Sequence, residues 1–435
     1  MSLGKNILYT FLTQIPVVIL SVITGVFITR YLGVEYKGIF SFFESDIILL
    51  TLFTGFGMDT AISYYLSKKK HDISKVLGAA VLVLVTTIIF LFLLLFILLK
   101  INPNNPLFPT TYNSEFYYIY LFVAVVLSLL NSYFSAIFRG LKEFKIVNRI
   151  LLINTIVSLS LFSYLFFSEY FFNGFSKLQN VLLVKLILLF FLNLIWGVMY
   201  IKKVNVRVSF NIDKALLKGI FGFISIIYLA DLLNFFNYRL DLYFIEFYLT
   251  EADLSYYSLA VNIAQFFWIF TASLTTVLQP SLNDPNENKV LGKFVFYSRL
   301  NFTVILIGCI VLYFTAGWII PLVYGKDFSG TVVALQVLLP AILVGSISKM
   351  FAFMVVNKGF IRYNLYAVIF GLIITILLNV ILIPVYGIIG ASISSLFSYI
   401  VIAITVYLCV IKKVRYPNAN YFFLTFNDIK KNKRL

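Results

Sequence analysis

Arg30-Tyr-Leu-Gly-Val-Glu-Tyr-Lys-Gly-Ile-Phe-Ser41 is a short charged stretch that separates two long apolar runs near the start of this sequence of 435 residues. A degenerate copy recurs half a chain later, with tyrosine and leucine kept and small residues exchanged for one another. The matched pairs, all at one constant spacing, are Tyr31 and Tyr248, Leu32 and Leu249, Gly33 and Thr250, Gly38 and Ser255, and Ser41 and Ser258. A second match pairs Gly140 and Phe144 with Gly359 and Tyr363 at nearly the same spacing. Two matches at nearly one spacing predict an internal duplication.

The composition of the chain indicates that its solvent is lipid. Hydrophobic residues make up 61% of the sequence and charged residues only 12%, whereas soluble domains carry about 25% charged residues. The apolar runs are long enough for helices that cross a bilayer, and the alternating pattern of a membrane barrel is absent. Cys309 and Cys409 fall inside apolar runs and His71 is the only histidine. The sequence therefore predicts an all-α membrane protein without a disulfide framework or a histidine-rich metal centre.

Twelve segments are predicted to span the membrane, with both chain ends on the cytoplasmic side. They are residues 7–29, 40–65, 76–99, 116–138, 147–168, 180–201, 221–247, 256–278, 295–315, 331–356, 364–384 and 388–411. Lys and Arg are concentrated in alternate loops, such as 68–75, 139–149 and 202–218, which places these loops in the cytoplasm. The net charge of +16 is explained by these clusters and does not indicate nucleic acid binding. The first segment is expected to be an uncleaved span.

The duplication divides the chain into two halves of six helices each. We expect an N-terminal bundle at 1–203, a basic cytoplasmic linker at 204–218, a C-terminal bundle at 219–411 and a basic cytoplasmic tail at 412–435. Halves with an even number of spans repeat in parallel around an axis along the membrane normal, and they enclose a central cavity. This is the architecture of a transporter.

The seventh span carries a polar arc of roughly 200°, if successive residues are about 100° apart. Its members are Asp231, Asn234, Asn237, Arg239 and Asp241. An ionisable group that faces lipid costs several kcal/mol, so we expect the arc to line a cavity. The alternative is an ion pair of Arg239 with a neighbouring Asp that only holds helices together.

Two acidic residues of the second span, Glu44 and Asp59, lie within about 60° on one face, some 22 Å apart along the axis. Either one is a candidate functional site, since intramembrane acids are costly. The alternatives are that Glu44 is solvated at the outer end, and that Asp59 is an interfacial residue near the lysines at 68–70.

The eighth span presents uncharged polar residues within an arc of about 120°. They are Asn262, Gln265, Ser273, Thr276 and Gln279. Such a stripe suits sugar hydroxyls, which need hydrogen bonds without net charge, but it equally suits hydrogen bonds between helices. Lys185 and Lys349 lie one to two turns from span ends, where lysines commonly snorkel. Arg30 ends the first span, either as an interfacial anchor or as a cation that meets an anionic substrate such as a pyrophosphate.

Four motifs together resemble the O-antigen translocase group of polysaccharide-export flippases. They are Arg30-Tyr-Leu-Gly33 with Gly38 and Ser41, Phe138-Arg-Gly-Leu-Lys-Glu-Phe144, Tyr256-Tyr-Ser-Leu-Ala260 and Pro384-Val-Tyr-Gly-Ile-Ile-Gly-Ala391. This group belongs to the superfamily that also contains the multidrug and toxin extrusion transporters and the lipid II flippase. The resemblance covers essentially the whole chain, and it implies the bundle fold of that superfamily around a central cavity.

The resemblance implies a substrate, a mechanism and a location. The substrate would be an undecaprenyl-pyrophosphate-linked oligosaccharide, such as an O-antigen unit of lipopolysaccharide. Alternating access would carry it from the cytoplasmic to the outer leaflet of the bacterial inner membrane. Membrane lipids, a polymerase and other polysaccharide-assembly proteins would be its partners. Substrate contacts are expected from Arg30, Arg239, Asn234, Asn237, Asn262 and Gln265.

Energy for transport is expected from an ion gradient, because the sequence has no phosphate-binding motif of the kind that ATPases use. The candidate coupling residues for H⁺ or Na⁺ are Asp231, Asp241, Asp59 and Glu44. No cofactor and no covalent chemistry are expected, so the chain is predicted not to be an enzyme.

Three other functions compete with this prediction. A cation-coupled multidrug antiporter of the same superfamily typically has acidic residues in its first span; here 7–29 has none, although Asp231 is the repeat counterpart of Gln14. A membrane-embedded polymerase or glycosyltransferase needs a large catalytic loop or domain, whereas the longest outer connection here is about 100–115. A purely structural scaffold would leave the polar arc of the seventh span unexplained.

Overall fold

The computed structural model describes residues 3–68, 72–101, 115–169, 171–210, 214–279, 282, 286–414 and 421–424. Within these ranges the chain forms helices and no strand. The helices are α1 Leu3–Gly55, α2 Met58–Lys68, α3 Ile73–Ile101, α4 Glu115–Gly140, α5 Phe144–Ser168, α6 Lys177–Lys203, α7 Lys214–Tyr248, α8 Glu251–Gln265, α9 Phe267–Leu278, α10 Glu287–Tyr324, α11 Thr331–Asn357 and α12 Ile361–Lys412. A short 3₁₀ helix, Lys326–Gly330, precedes α11.

The prediction of an all-α, multi-pass membrane protein is confirmed. In the described part of the chain, 10 helical segments are long and apolar enough to cross a membrane. Two of them, α1 and α12, contain 53 and 52 residues, and each is interrupted by a non-helical glycine. Gly33 and Gly387 are these interruptions, and each separates two of the predicted spans. The twelve predicted spans thus fall on ten helical segments, and twelve crossings remain a prediction.

The helix breaks follow the internal repeat. Gly33 has φ 69° and ψ −176°, a conformation that is essentially restricted to glycine. Its counterpart Thr250 breaks the helix differently, because its side chain caps α8 by accepting a hydrogen bond from the Asp253 backbone N–H at 3.2 Å. Gly387 occupies the position of the second half that corresponds to Ser168, where α5 ends. Both halves therefore interrupt their helices at equivalent positions.

The chain forms two compact units, 1–232 and 233–435. In the first unit α4 contacts α1, α2, α3, α5 and α6, and in the second unit α11 contacts α8, α9, α10 and α12. The division falls inside α7, whereas the sequence places the boundary in the linker at 204–218. The bundle boundaries at 1–203 and 219–411 remain predictions. The basic tail at 412–435 lies mostly outside the described residues.

Candidate functional site

The first unit contains a cavity of about 320 Å³ between α1, α2, α4 and α7. Its surface is mainly apolar, but several polar residues line it, among them Thr51, Asp59, Thr60, Ser132, Tyr133 and Asp231. Ile47, Leu52 and Leu129 form an apolar part of the wall. Two of the four predicted coupling residues, Asp59 and Asp231, therefore line the same cavity.

The turn between α1 and α2 shapes this cavity. Phe56 and Gly57 both have left-handed backbones, with φ of 48° and 66°. A Cβ on Gly57 would lie 3.7 Å from the Tyr228 Cβ, so the turn approaches α7 closely. The Tyr228 hydroxyl donates to the Phe53 carbonyl at 3.2 Å, which fixes α7 to the end of α1. Because α2 starts immediately after the turn, Asp59 in its first turn lies beside α7.

The polar atoms of the cavity differ in how they are satisfied. Asp59 lies 3.8 Å from Arg139 of α4, and both side chains are more than one-third exposed, so this ion pair is weak. The Tyr133 hydroxyl is buried, with 6% of the residue exposed, and it has no hydrogen-bond partner. The Thr51 hydroxyl is also buried without a partner. Buried polar groups normally have partners, so the wall retains unused hydrogen-bonding capacity.

Glu44, the third predicted coupling residue, lies apart from this cavity wall. Its Oε2 atom is 2.8 Å from the Lys185 ammonium of α6. Lys37, which is only 5% exposed, donates to the Ser41 hydroxyl at 2.5 Å. Both lysines lie near the Phe40 ring, at 5.8 and 5.9 Å from its centroid. The ammonium of Lys185 thus has an acidic partner, and the snorkelling interpretation stays a prediction. Sequence reasoning missed the buried Lys37.

The second unit contains the rest of the polar arc of α7. Asn237 is 2% exposed and donates to the Val368 carbonyl at 2.9 Å, while its Oδ1 accepts from Ser398 at 3.2 Å. These bonds fix α7 to α12, which is the behaviour of a residue that holds helices together. Asn234 and Arg239 are half-buried. Substrate contacts from Asn234, Asn237 and Arg239 remain predictions.

Asp241 is a buried carboxylate at the junction of α7, α8 and α12. It is 4% exposed, and its Oδ2 accepts from the Tyr257 hydroxyl and from the Ser395 hydroxyl, the latter at 3.3 Å. Its Oδ1 is buried and has no hydrogen-bond partner. Arg239 is near enough to act on it electrostatically. This unpaired oxygen can accept a further hydrogen bond or a proton.

Lys349 of α11 lies over the rings of Tyr238 and Trp268, from α7 and α9, and Tyr399 of α12 packs against both rings. Its Nζ is 4.1 Å from the Trp268 ring centroid and 4.4 Å from that of Tyr238. It also donates a hydrogen bond of 3.0 Å to the Tyr238 hydroxyl. Tyr399 contacts both rings, with centroid distances of 5.8 and 5.9 Å. We call these four residues the Lys349 cage. Two ring contacts and one hydrogen bond hold its ammonium, and the snorkelling interpretation stays a prediction.

The remaining predicted substrate residues are more dispersed. Asn262 and Gln265 are half-buried on α8, which ends at Gln265. Ser273 and Thr276 on α9 donate to backbone carbonyls of their own helix, at 2.8 and 2.9 Å. Arg30 is exposed next to the Gly33 interruption. Contacts of Arg30, Asn262 and Gln265 with a substrate stay predictions.

Comparison with known proteins gives a family and a fold. A family model described as "Polysaccharide biosynthesis protein" matches residues 3–284. An uncharacterized membrane protein of Methanocaldococcus jannaschii is 22% identical over 400 residues, which are 86% of this chain and 90% of the relative.

Three solved structures show the fold. The inward-facing conformation of a multidrug resistance MATE family transporter of the MOP superfamily has a TM-score of 0.70 at 16% identity, covering 92% of this chain and 96% of that one. The lipid II flippase MurJ, in an inward closed conformation, also has a TM-score of 0.70 at 16% identity, with 93% and 87% covered. A MOP superfamily transporter from Pyrococcus furiosus has a TM-score of 0.62 at 16% identity, with 94% and 96% covered.

These likenesses confirm the predicted bundle fold, and they agree with the expectation of a protein that is not an enzyme. The family model spans well over half of the sequence. The chain therefore belongs to the polysaccharide biosynthesis protein family and has the fold of the MOP superfamily.

Proposed function

We propose that this protein is a flippase for undecaprenyl-pyrophosphate-linked oligosaccharide, such as an O-antigen repeat unit or a unit of another envelope polysaccharide. It moves this substrate from the cytoplasmic to the outer leaflet of the bacterial inner membrane, with both chain ends in the cytoplasm. Family membership and the fold shared with a lipid II flippase support the proposal. The fold is known in inward-facing and outward-facing conformations in MATE transporters, which supports alternating access.

The observation that carries the proposal is the Lys349 cage. Lys349 lies eight residues before the end of α11 at Asn357, or about 12 Å along the helix. Among the described residues it has no acidic partner, in contrast to Lys185, which is paired with Glu44. A lysine charge at the centre of a membrane helix costs about 2.5–3.5 kcal/mol, which is an upper bound for Lys349, two turns from the end of α11. Two ring contacts of about 0.5–2 kcal/mol each and one hydrogen bond offset much of this cost.

The cage leaves the charge of Lys349 unneutralised and part of its hydrogen-bonding capacity unused. An ammonium has three N–H donors, and the Tyr238 hydroxyl accepts one of them. A phosphoryl oxygen of the substrate supplies both the missing negative charge and the missing acceptor. We assign Lys349 to the pyrophosphate, with Arg239 of the same unit as a further cation for it, and Arg30 of the first unit is proposed separately as a cation that meets the anionic substrate. The half-buried amides Asn234, Asn262 and Gln265 are assigned to sugar hydroxyls.

A gradient of H⁺ or Na⁺ is proposed to drive transport, with Asp241 as the coupling residue. Its Oδ1 has no hydrogen-bond partner, while Tyr257 and Ser395 hold Oδ2 in place. A buried carboxylate with one free oxygen gains strongly from a proton or a cation. No other cofactor is proposed, and a polymerase and other assembly proteins are candidate partners on the outer side.

Binding of geranylgeranyl pyrophosphate to purified protein, and flipping of a fluorescent prenyl-pyrophosphate oligosaccharide in proteoliposomes, test the proposal. We expect Lys349→Met to weaken pyrophosphate binding about 10- to 100-fold, the cost of one hydrogen bond to a charged group. Lys358→Met is the matched control, because Lys358 pairs with Glu287 and lies beyond the end of α11. Geranylgeraniol, without a phosphate, should bind equally to wild type and Lys349→Met. Wild type that neither binds nor flips the pyrophosphate contradicts the proposal.

A cation-coupled multidrug antiporter is the second candidate function. The cavity wall with Asp59 and Asp231 favours it, since two carboxylates attract a cationic drug. The fold does not discriminate, because the MATE transporter and the lipid II flippase are equally similar to this chain. Export of a cationic dye under an ion gradient, with no flipping of the lipid-linked oligosaccharide, would replace the flippase by this alternative.

A further inference from the structure

The cavity of the first unit carries an inference that deepens the proposed function and depends on it. We propose that this cavity binds a sugar residue of the transported glycan, and that Asp59 and Asp231 accept hydrogen bonds from its hydroxyl groups.

The size of the cavity is the first argument. Its volume of about 320 Å³ lies at the lower end of the range of small-molecule sites, about 300–1,000 Å³. A single water takes about 30 Å³, so a bare proton or metal ion would leave most of the space to solvent. One sugar ring with its substituents is a better match than an ion alone.

The distribution of polar and apolar atoms on the wall is the second argument. A sugar ring has a rim of hydroxyl groups and faces of C–H groups, so its site needs acceptors, donors and an apolar surface. Ile47, Leu52 and Leu129 supply the apolar surface. Asp231 makes no ion pair in the described part of the chain, lines the cavity and is exposed. A carboxylate has two oxygens and accepts from two neighbouring hydroxyls at once.

The buried hydroxyls of Tyr133 and Thr51 are the third argument. Both residues line the cavity, and their hydroxyl oxygens are buried without a hydrogen-bond partner, so a small movement of the wall brings either one to a ligand. A hydroxyl oxygen can contact a cation or accept a hydrogen bond, but only a sugar hydroxyl also uses the O–H donor. Asp59 lies 3.8 Å from Arg139 in a weak ion pair, which leaves its acceptors available.

Protection of an introduced cysteine tests this inference. Ser132→Cys places a thiol in the cavity wall. The two native cysteines are buried, so the protein without this substitution gives the background rate of thiol labelling. Ser67→Cys is the control, since Ser67 is exposed near the end of α2 and is not part of the wall. The probe is the oligosaccharide pool that mild acid releases from the lipid-linked oligosaccharides of the source membranes. We expect this pool to slow labelling at position 132 and to leave position 67 unaffected.

Two further variants separate a sugar contact from a structural role. Tyr133→Phe should raise the oligosaccharide concentration needed to protect position 132 from labelling about threefold to tenfold, and Asp231→Asn should raise it about tenfold or more. Because the Tyr133 hydroxyl has no hydrogen-bond partner within the protein, Tyr133→Phe should leave thermal stability unchanged or higher. Loss of stability with unchanged oligosaccharide potency would overturn the assignment of Tyr133.

The outcomes distinguish this inference from the proposed function. Wild type that flips intact lipid-linked oligosaccharide, with no protection of position 132 by the free glycan, overturns the sugar site alone. Protection by Na⁺ with none by the oligosaccharide overturns it in favour of a cation site. Absence of both flipping and pyrophosphate binding contradicts the proposed function itself.

Discussion

The ring of Trp268 lies against the backbone of α11 at Gly345, where an added Cβ would come within 2.9 Å of the ring atom Cζ2. The indole N–H of Trp268 donates to the Ile342 carbonyl of the same helix at 3.2 Å. These two contacts fix the indole on α11 one turn before Lys349, so that the ammonium lies over the ring. The cage is thus held in place before any ligand arrives, which lowers the entropic cost of binding.

Gly345→Ala is expected to displace Trp268 and disrupt the cage. The new methyl group would also lie 3.3 Å from Tyr399, so the rings of Trp268 and Tyr399 would both have to move to remove the steric overlap. Overpacking of this kind costs about 1–3 kcal/mol, and pyrophosphate binding should weaken along with thermal stability. Tryptophan fluorescence measures the displacement of Trp268, and thermal unfolding in detergent measures the loss of stability.

The control for this prediction is Gly197→Ala in α6. A Cβ at Gly197 meets nothing within 4 Å, and alanine is better than glycine in a helix interior by about 0.5–1 kcal/mol. Gly197→Ala should therefore be neutral or stabilising. Equal stability of the Gly345→Ala and Gly197→Ala proteins would show that the close contact at Gly345 is absent.

Asp241→Asn is expected to uncouple transport from the ion gradient while keeping the fold. The amide has nearly the same shape as the carboxylate, and its oxygen still accepts from Tyr257 and Ser395, but it cannot take up a proton or hold a cation. Flipping rates in proteoliposomes with and without an imposed H⁺ or Na⁺ gradient measure the effect. The gradient should accelerate wild type and Glu287→Gln, an exposed control, and leave Asp241→Asn at the rate measured without a gradient. Full gradient dependence in Asp241→Asn would assign coupling elsewhere.

The ion pair of Glu44 and Lys185 is expected to stabilise the first unit rather than to carry ions. Its N–O distance is 2.8 Å, and the side chains are 31% and 30% exposed, so neither charge is fully solvated. Glu44→Gln or Lys185→Met alone should cost about 1–3 kcal/mol, less than for a fully buried pair. The double variant should recover part of this loss, with a coupling energy of about 0.5 kcal/mol or more. Thermal unfolding gives the stability of wild type, of the two single variants and of the double variant. Normal stability of Glu44→Gln together with lost gradient dependence would favour the coupling role.

The features that the sequence predicts well are local ones. Apolar runs predict the membrane helices because hydrophobicity alone decides where a helix meets lipid. The match of Gly33 with Thr250 predicts a break in each half, since left-handed glycines and capping threonines act through their own backbone. The all-α fold and the equivalent interruptions could therefore be predicted without knowledge of any tertiary contact.

The composition of the sites could not be predicted, because it depends on contacts between distant helices. Asp59 and Asp231 come from opposite sides of the predicted linker and are far apart in sequence, yet they line one cavity. The periodicity of α7 gives the angle of each polar residue, but not the neighbour that it meets. Asp231 lines the cavity of the first unit, whereas Asn237 bonds to α12 within the second. The cage around Lys349 has no signal in the sequence, since its members are single aromatic residues on three other helices.

Gly33→Ala tests whether the interruption of α1 is imposed by the backbone itself. A Cβ at Gly33 meets nothing within 4 Å, so steric overlap with other residues does not contribute. The cost arises from the left-handed φ of 69° alone, and it is expected to be about 1–3 kcal/mol. Gly25→Ala is the matched control in the same helix, because a Cβ there also meets nothing within 4 Å and φ is not positive. Thermal unfolding should show a loss for Gly33→Ala and none for Gly25→Ala. If the two variants are equally stable, α1 has a continuous helical backbone through residue 33, and the first two predicted spans are not separated at this glycine.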